Sequence, residues 1–435
     1  MFIKIEERNM EIQNIIQFPQ FLLKYILTFI GDRNIFLLCT VSKAFCNAIH
    51  IDIVFAWRGH QIKELFDAKN LVRLNVSHQQ LTEIIVPKNC KIVNCSFNQI
   101  TSIVLPNTCE ELYCSNNEIS SIILPNKCKK IDCSYNQIHY LFVPENCRKV
   151  NCSNNQIKIL TLSEKCREIY CSNNLLTFLI VPGATKKIIC SQNFLTTLRL
   201  LKKCSFLDCS KNQLRSLVIP DGSLQVSCYS NLLTMLILPD SCEWICCYNN
   251  TLSSIIIPAD CKTIDCSNNH ITEITVPEAC TYINCSNNRL TSLILHENCQ
   301  TVDCAFNLLD VLNVPDGCQN LDCSNNKLAT LSTPGNCSEV CCSDNQLTSL
   351  TVMEGCKILN CADNLLTYLW VPFWCEFVNC ANNQLRELVI SFGCRVADCV
   401  NNQLTTLTIP ASCEEVYYHG NEIKKICVVH MDTSN

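Results

Sequence analysis

Hydrophobic and polar positions along this chain repeat with one fixed period over residues 71–431. One period reads Cys109-Glu-Glu-Leu-Tyr-Cys-Ser-Asn-Asn-Glu-Ile-Ser-Ser-Ile-Ile-Leu-Pro-Asn-Lys127, and nineteen starts follow at constant spacing from Leu71 to Cys413, with no insertion or deletion. Counting positions from each start, position 1 is Cys in 16 of 19 periods, the exceptions being Leu71, Thr185 and Ser223. Position 6 is Cys in 17, position 9 is Asn in 18 and position 17 is Pro in 13. Aliphatic residues at position 4 and Cys at 6 alternate with mostly polar residues at 3, 5 and 7, which predicts a short strand with one buried face. Asn at a constant place after each strand suits a turn, and stacked turns would align these amides into a buried ladder. Aliphatic residues at 11, 14 and 16 point back inward, and Pro at 17 stops the return segment. Nothing between 11 and 19 has the length or period of a helix, so extended or polyproline-like backbone is expected there. A length of 435 residues would allow two or three globular domains. Units that each stack on their neighbours override that prior and make a solenoid.

The pattern Cys-x-x-Leu-x-Cys-Ser-x-Asn-x-Ile resembles the leucine-rich repeat, Leu-x-x-Leu-x-Leu-x-x-Asn-x-Leu, with Cys replacing two leucines. The resemblance implies a leucine-rich-repeat array with a parallel concave β-sheet and an extended convex side. The short period and the Leu-Pro joint look most like the shortest such repeats, those of bacterial effectors. Some of those add a ligase domain with a catalytic cysteine. Here the last repeat ends within a few residues of the end of the sequence, so no such domain is expected.

Residues 1–70 do not follow the period. Pro19 suits a first helical position, and Leu22, Leu23, Ile26, Leu27 and Ile30 make a helical apolar stripe that Gly31-Asp32 ends. Ile35, Leu38, Val41 and Phe45 make a second stripe. Phe18-Pro19, Ile26-Leu27 and Val41-Ser-Lys-Ala-Phe45 stand in register with the motif of the F-box, which this segment resembles. Phe21 stands where that family usually has an acid. The resemblance implies a small helical domain that binds a Skp-type adaptor of a cullin ubiquitin ligase, with Pro19, Leu22, Ile26, Leu27, Val41, Lys43 and Phe45 as the adaptor-facing residues. The expected order is a tail at 1–14, the F-box-like domain at 15–58, a capping segment at 59–70, the repeats at 71–431 and a tail at 432–435. The F-box resemblance implies a substrate-recognition subunit. A free-standing binding module with a helical cap, or a binder of an anionic partner, are the alternatives.

Thirty-eight cysteines would suggest a disulfide scaffold in a small secreted chain. The start, Met1-Phe-Ile-Lys-Ile-Glu-Glu-Arg, lacks the order of a signal peptide. The apolar run from Phe18 to Ile30 carries Lys24 and is too short to span a bilayer. A cytoplasmic location with reduced thiols is therefore expected, the nucleus being also open to it, with no membrane partner. The Asn-Cys-Ser triplets at Asn94, Asn151, Asn284 and Asn336 then have no glycosylation role. Cys-x4-Cys on one extended strand places the two thiols roughly 16 Å apart, too far to chelate one ion. Buried small hydrophobes are the expected role of the cysteines, and neither a metal nor another cofactor is expected.

Charge polarises the array. Residues 71–222 carry 18 basic and 10 acidic side chains, residues 223–435 carry 8 and 22, and the first 70 carry 8 and 7. Positions 3, 5, 7 and 8 are expected to face outward on a sheet on the order of 90 Å long. That places Lys130, Lys149 and Lys187 in one column and Asp265, Asp303 and Asp322 in another. Trp244 and Tyr282 at position 3, with Tyr229 and Tyr248 at position 7, form an aromatic patch suited to anchor a protein partner. No nucleophile, base and carboxylate fall at catalytic spacing, and there is no phosphate-cradling glycine loop. An enzyme is not expected, and nucleic acid is disfavoured as a partner.

Overall fold

A computed structural model describes residues 71–430 of the chain, and the F-box-like segment and the adaptor-facing residues assigned to it lie outside them. The chain divides into two compact units, Met1–Lys202 and Lys203–Asn435. In the first unit seven strands, each at positions 3–5 of its period, pair in parallel from Arg73–Asn75 to Lys187–Ile189. The register always sets equivalent positions of successive periods side by side, as in Lys130↔Lys149 and Ile131↔Val150. In the second unit twelve strands from Phe206–Asp208 to Glu415–Tyr417 repeat the arrangement. The middle residue of each strand is the position-4 aliphatic, buried in nearly every turn. The described residues contain no helix. The return side is extended, as expected, and in places pairs into short parallel strands of its own, such as Tyr140–Phe142 with Ile159–Thr161 and Glu273–Thr275 with Ser292–Ile294.

Each turn is closed by polar groups whose places follow the columns. The Asn288 amide nitrogen donates to the Cys285 carbonyl of its own turn at 3.0 Å and to the Cys266 carbonyl of the preceding turn at 3.1 Å. Its amide oxygen accepts the Ile271 N–H at 2.9 Å. The same set recurs at Asn117, Asn174 and Asn383. One side chain thus satisfies three backbone groups that the bend between strand and return segment would otherwise bury unpaired, each at a cost of ~1–3 kcal/mol. The preceding residue, position 8, has a left-handed backbone in every turn, for example Asn268 at φ 54° and Asn287 at φ 54°. Asn tolerates that region better than other side chains, which explains the first Asn of the recurrent Asn-Asn pair. Phe97, Tyr135 and Lys211 adopt it too, held there by the ladder on either side.

The proline column closes the other end. The N–H of Cys261 donates to the Pro258 carbonyl at 3.0 Å, making a tight turn that returns the chain to the sheet. From Cys90 onward position 1 holds a small side chain with a donor. The Cys128 thiol donates to the Lys130 carbonyl at 3.4 Å, and the two hydroxyl exceptions do similar work: Thr185 donates to the Cys166 carbonyl at 3.0 Å and Ser223 to the Pro220 carbonyl at 2.8 Å. All 36 cysteines of the described residues are free thiols, and all but Cys246, Cys341, Cys413 and Cys427 are buried.

Candidate interaction surface

Side chains at positions 2 and 3 are the most exposed of the sheet face, and those at position 5 are nearly all half-buried. Strand alternation puts position 7 among them, but there the side chain is mostly buried, as at Ser134, Ser267 and Ser324. The cause is the Asp or Asn at position 5. The Asp322 carboxylate accepts the Ser324 N–H at 3.0 Å and its hydroxyl at 2.7 Å, which folds the serine back against the turn. Asp265 holds Ser267 in the same way, and Asp303 accepts the Ala305 N–H at 3.2 Å. Tyr229 and Tyr248 occupy position 7 but remain half-buried, their rings stacked with centroids 4.5 Å apart. Trp244 is half-buried, and Tyr282 lies in its column two strands on, with Thr263 between them.

The two charged columns behave differently. In the first unit the lysines meet carboxylates across the turns. Lys130 pairs with Glu111 at 3.1 Å and Lys149 with Glu168 at 2.7 Å, and the ammonium groups of Lys149 and Lys187 also lie 5.4 and 5.6 Å from the centre of the Tyr170 ring. The hydrogen bond that the Lys149 ammonium donates to the Glu168 carboxylate raises the Lys149 pKa and lowers the Glu168 pKa. In the second unit the ion pairs are Lys262 with Glu243 at 2.7 Å and Arg395 with Glu414 at 2.9 Å, both at position 2. Among the described residues no lysine or arginine forms an ion pair with Asp265, Asp303 or Asp322. Burial raises the Asp303 pKa, and Asp322 and Asp265 add repulsion to it.

One set of exposed residues escapes the sequence reading. Position 15, on the return side, points outward and is apolar in turn after turn. Val104 is 84% exposed and Ile123 89% in the first unit, and Ile256 is 88% exposed in the second. A signal is present in the runs Ile-Val-Leu-Pro and Ile-Ile-Leu-Pro: of three consecutive aliphatic residues in extended chain, only the first and third can face the core. Among the described residues no group of His, Cys, Asp or Glu converges as a metal site, and no helix is long and apolar enough to cross a membrane.

No family model matches the chain, and no curated protein is similar to it in sequence. Solved structures are similar in fold. YopM from Yersinia enterocolitica WA-314 aligns with a TM-score of 0.69 at 19% identity, over 85% of this chain and 93% of that one. A leucine-rich-repeat protein of Leptospira interrogans aligns with a TM-score of 0.50 at 18% identity, over 66% of this chain and 87% of that one. At such identity the likeness is one of fold: the described residues form a leucine-rich-repeat solenoid.

Proposed function

We propose that this chain is the substrate-recognition subunit of a Skp–cullin–F-box type ubiquitin ligase, non-catalytic itself and working in the cytoplasm. The observation that carries the reading is the order of its parts. A segment that resembles the F-box motif at Phe18-Pro19, Ile26-Leu27 and Val41–Phe45 precedes a long array whose sheet face presents aromatic and charged columns. Large stacked aromatic side chains and unpaired carboxylates on a rigid sheet suit a protein partner. The reading as a binder of anionic partners draws less support, since Lys130 and Lys149 already have carboxylates beside them.

Charge placed in the adaptor-facing stripe should cost adaptor binding alone. Ile26→Asp with Leu27→Asp sets two carboxylates in an apolar contact, a penalty on the order of several kcal/mol. A pulldown with a Skp-type adaptor should lose the double variant completely. Trp244→Ala with Tyr282→Ala should retain the adaptor and lose the captured protein. Absence of adaptor binding by the unaltered chain would reject the ligase reading. A second reading is then favoured by the exposed aliphatic residues Val104 and Ile123 on adjacent turns of the first unit: a free-standing binding module that uses its return side as well, since contiguous exposed apolar surface marks interaction sites.

A further inference from the structure

We infer that the sheet face between Trp244 and Cys341 holds an extended, lysine- or arginine-rich segment of the protein partner. This rests on the reading of the array as a partner-holding surface, and it names the chemistry of what is held. Among the described residues no lysine or arginine meets the aspartates of this face. Asp303 and Asp322 are register partners on adjacent strands, so about 4.8 Å separates their backbones. Asp265 lies two strands before Asp303, with Asn284 between them. Between Trp244 and Cys341, positions 3 and 5 carry no lysine or arginine, while Glu339 adds a further carboxylate. Like charges directly opposite on neighbouring strands repel. The first unit relieves the same problem internally by setting Glu111 beside Lys130 and Glu168 beside Lys149. The second unit leaves it to something outside the chain.

The aromatic residues narrow the occupant to a chain of cationic side chains. Trp244 and Tyr282 occupy one column at position 3, and the Tyr229–Tyr248 stack stands at position 7, on the other side of the position-5 column. Ring faces next to carboxylates favour guanidinium and ammonium groups, which gain from both. An extended segment crossing the strands presents every second side chain about 7 Å apart. Long basic side chains at that spacing reach carboxylates that stand one and two strands apart. The local role of the aspartates does not compete with this. Asp265 and Asp322 each accept the N–H and the hydroxyl of the serine two residues on through one oxygen, which leaves the other for a ligand.

The test uses the full-length protein and fluorescent peptides with alternating residues, one Arg-Thr-Arg-Thr-Arg and one with Glu in place of Arg. Anisotropy should show binding of the arginine peptide, weakening as salt rises from about 50 to about 300 mM, and none of the glutamate peptide. Asp303→Asn with Asp322→Asn should weaken the arginine peptide at least about tenfold. Asn already serves at position 5 in Asn284, Asn360 and Asn379, where its oxygen takes the same N–H, so the circular dichroism of the variant should be unchanged. Equal binding of both peptides, unchanged affinity in the Asn variant, or saturation of the site by magnesium or calcium chloride alone would each overturn the inference. Failure here with retained adaptor binding removes the basic segment and leaves the ligase reading standing.

Discussion

Raising the pH above about 9 is expected to unfold this protein in one steep step. Burial pushes the thiols of Cys95, Cys133, Cys171 and Cys361 from an ordinary value of 9.0 up to about 12, and those of Cys114 and Cys152 are raised as well, again first by burial. The folded state therefore keeps protons that the unfolded chain releases. The stabilisation this gives is fully present below pH 9 and is lost as the pH climbs towards 12, because the unfolded state then binds fewer protons. Each such thiol removes ~1.4 kcal/mol per pH unit. Four remove roughly 5 kcal/mol per unit, comparable with the whole stability of an ordinary domain. Circular dichroism and thiolate ultraviolet absorbance followed together should change in a single transition within about one to two units above pH 9. Thiolates that titrate gradually with the dichroism intact would show that the thiols are reachable by water and that the cysteine columns are not core.

Deleting part of a turn should be far more damaging than deleting all of it. Removal of Cys261–Ala279, one whole period, restores every column, because each unit pairs with the next at equivalent positions. A folded protein one turn shorter is expected, since each unit contacts only its neighbours. Removal of Cys261–Asn269 alone takes away the strand Thr263–Asp265 and the Cys266 carbonyl on which the Asn288 amide rests, and leaves Leu252 without the Asn269 oxygen. Each buried group orphaned costs ~1–3 kcal/mol, and the following residues enter the wrong columns. Loss of soluble, cooperatively melting protein is expected for the half-turn deletion only. If both deletions melt alike, the chain is not a solenoid of these units.

The register, the strand positions and the buried columns are legible because they repeat. A single period would not separate Cys at 1 and 6 from any other small residue, whereas a column of them leaves only the core as their place. The left-handed backbone at position 8 is harder to see. Asn268 and Asn287 hint at it, but Phe97, Phe306 and Lys211 do not, since neighbouring turns impose that conformation on whatever residue stands there. Strand alternation assigns position 7 to the surface. The strands end at position 5, however, and the Asx contact from Asp322 or Asp265 then turns the chain and buries the serine. Ile123 and Ile256 are chemically indistinguishable from the inward residues beside them, so only the backbone direction marks them as exposed. Pairing of Lys149 with Glu168 depends on their standing at the same position of successive periods. That follows from the columns, and it decides which charges are satisfied within the fold.

On the proposed reading, the sheet face delivers a protein to a ubiquitin ligase through the amino-terminal segment. The most direct measurement places a photo-crosslinking phenylalanine at Tyr282, on the sheet face, and separately at Ile256, on the return side, in chain assembled with a Skp-type adaptor and a cullin. A protein adduct is expected at Tyr282 that lengthens by ubiquitin when the ligase is supplied with its activating enzymes, and that is no longer modified when Ile26 and Leu27 are both changed to Asp. Adducts at Ile256 alone, or adducts at Tyr282 that are never ubiquitinated, would contradict it.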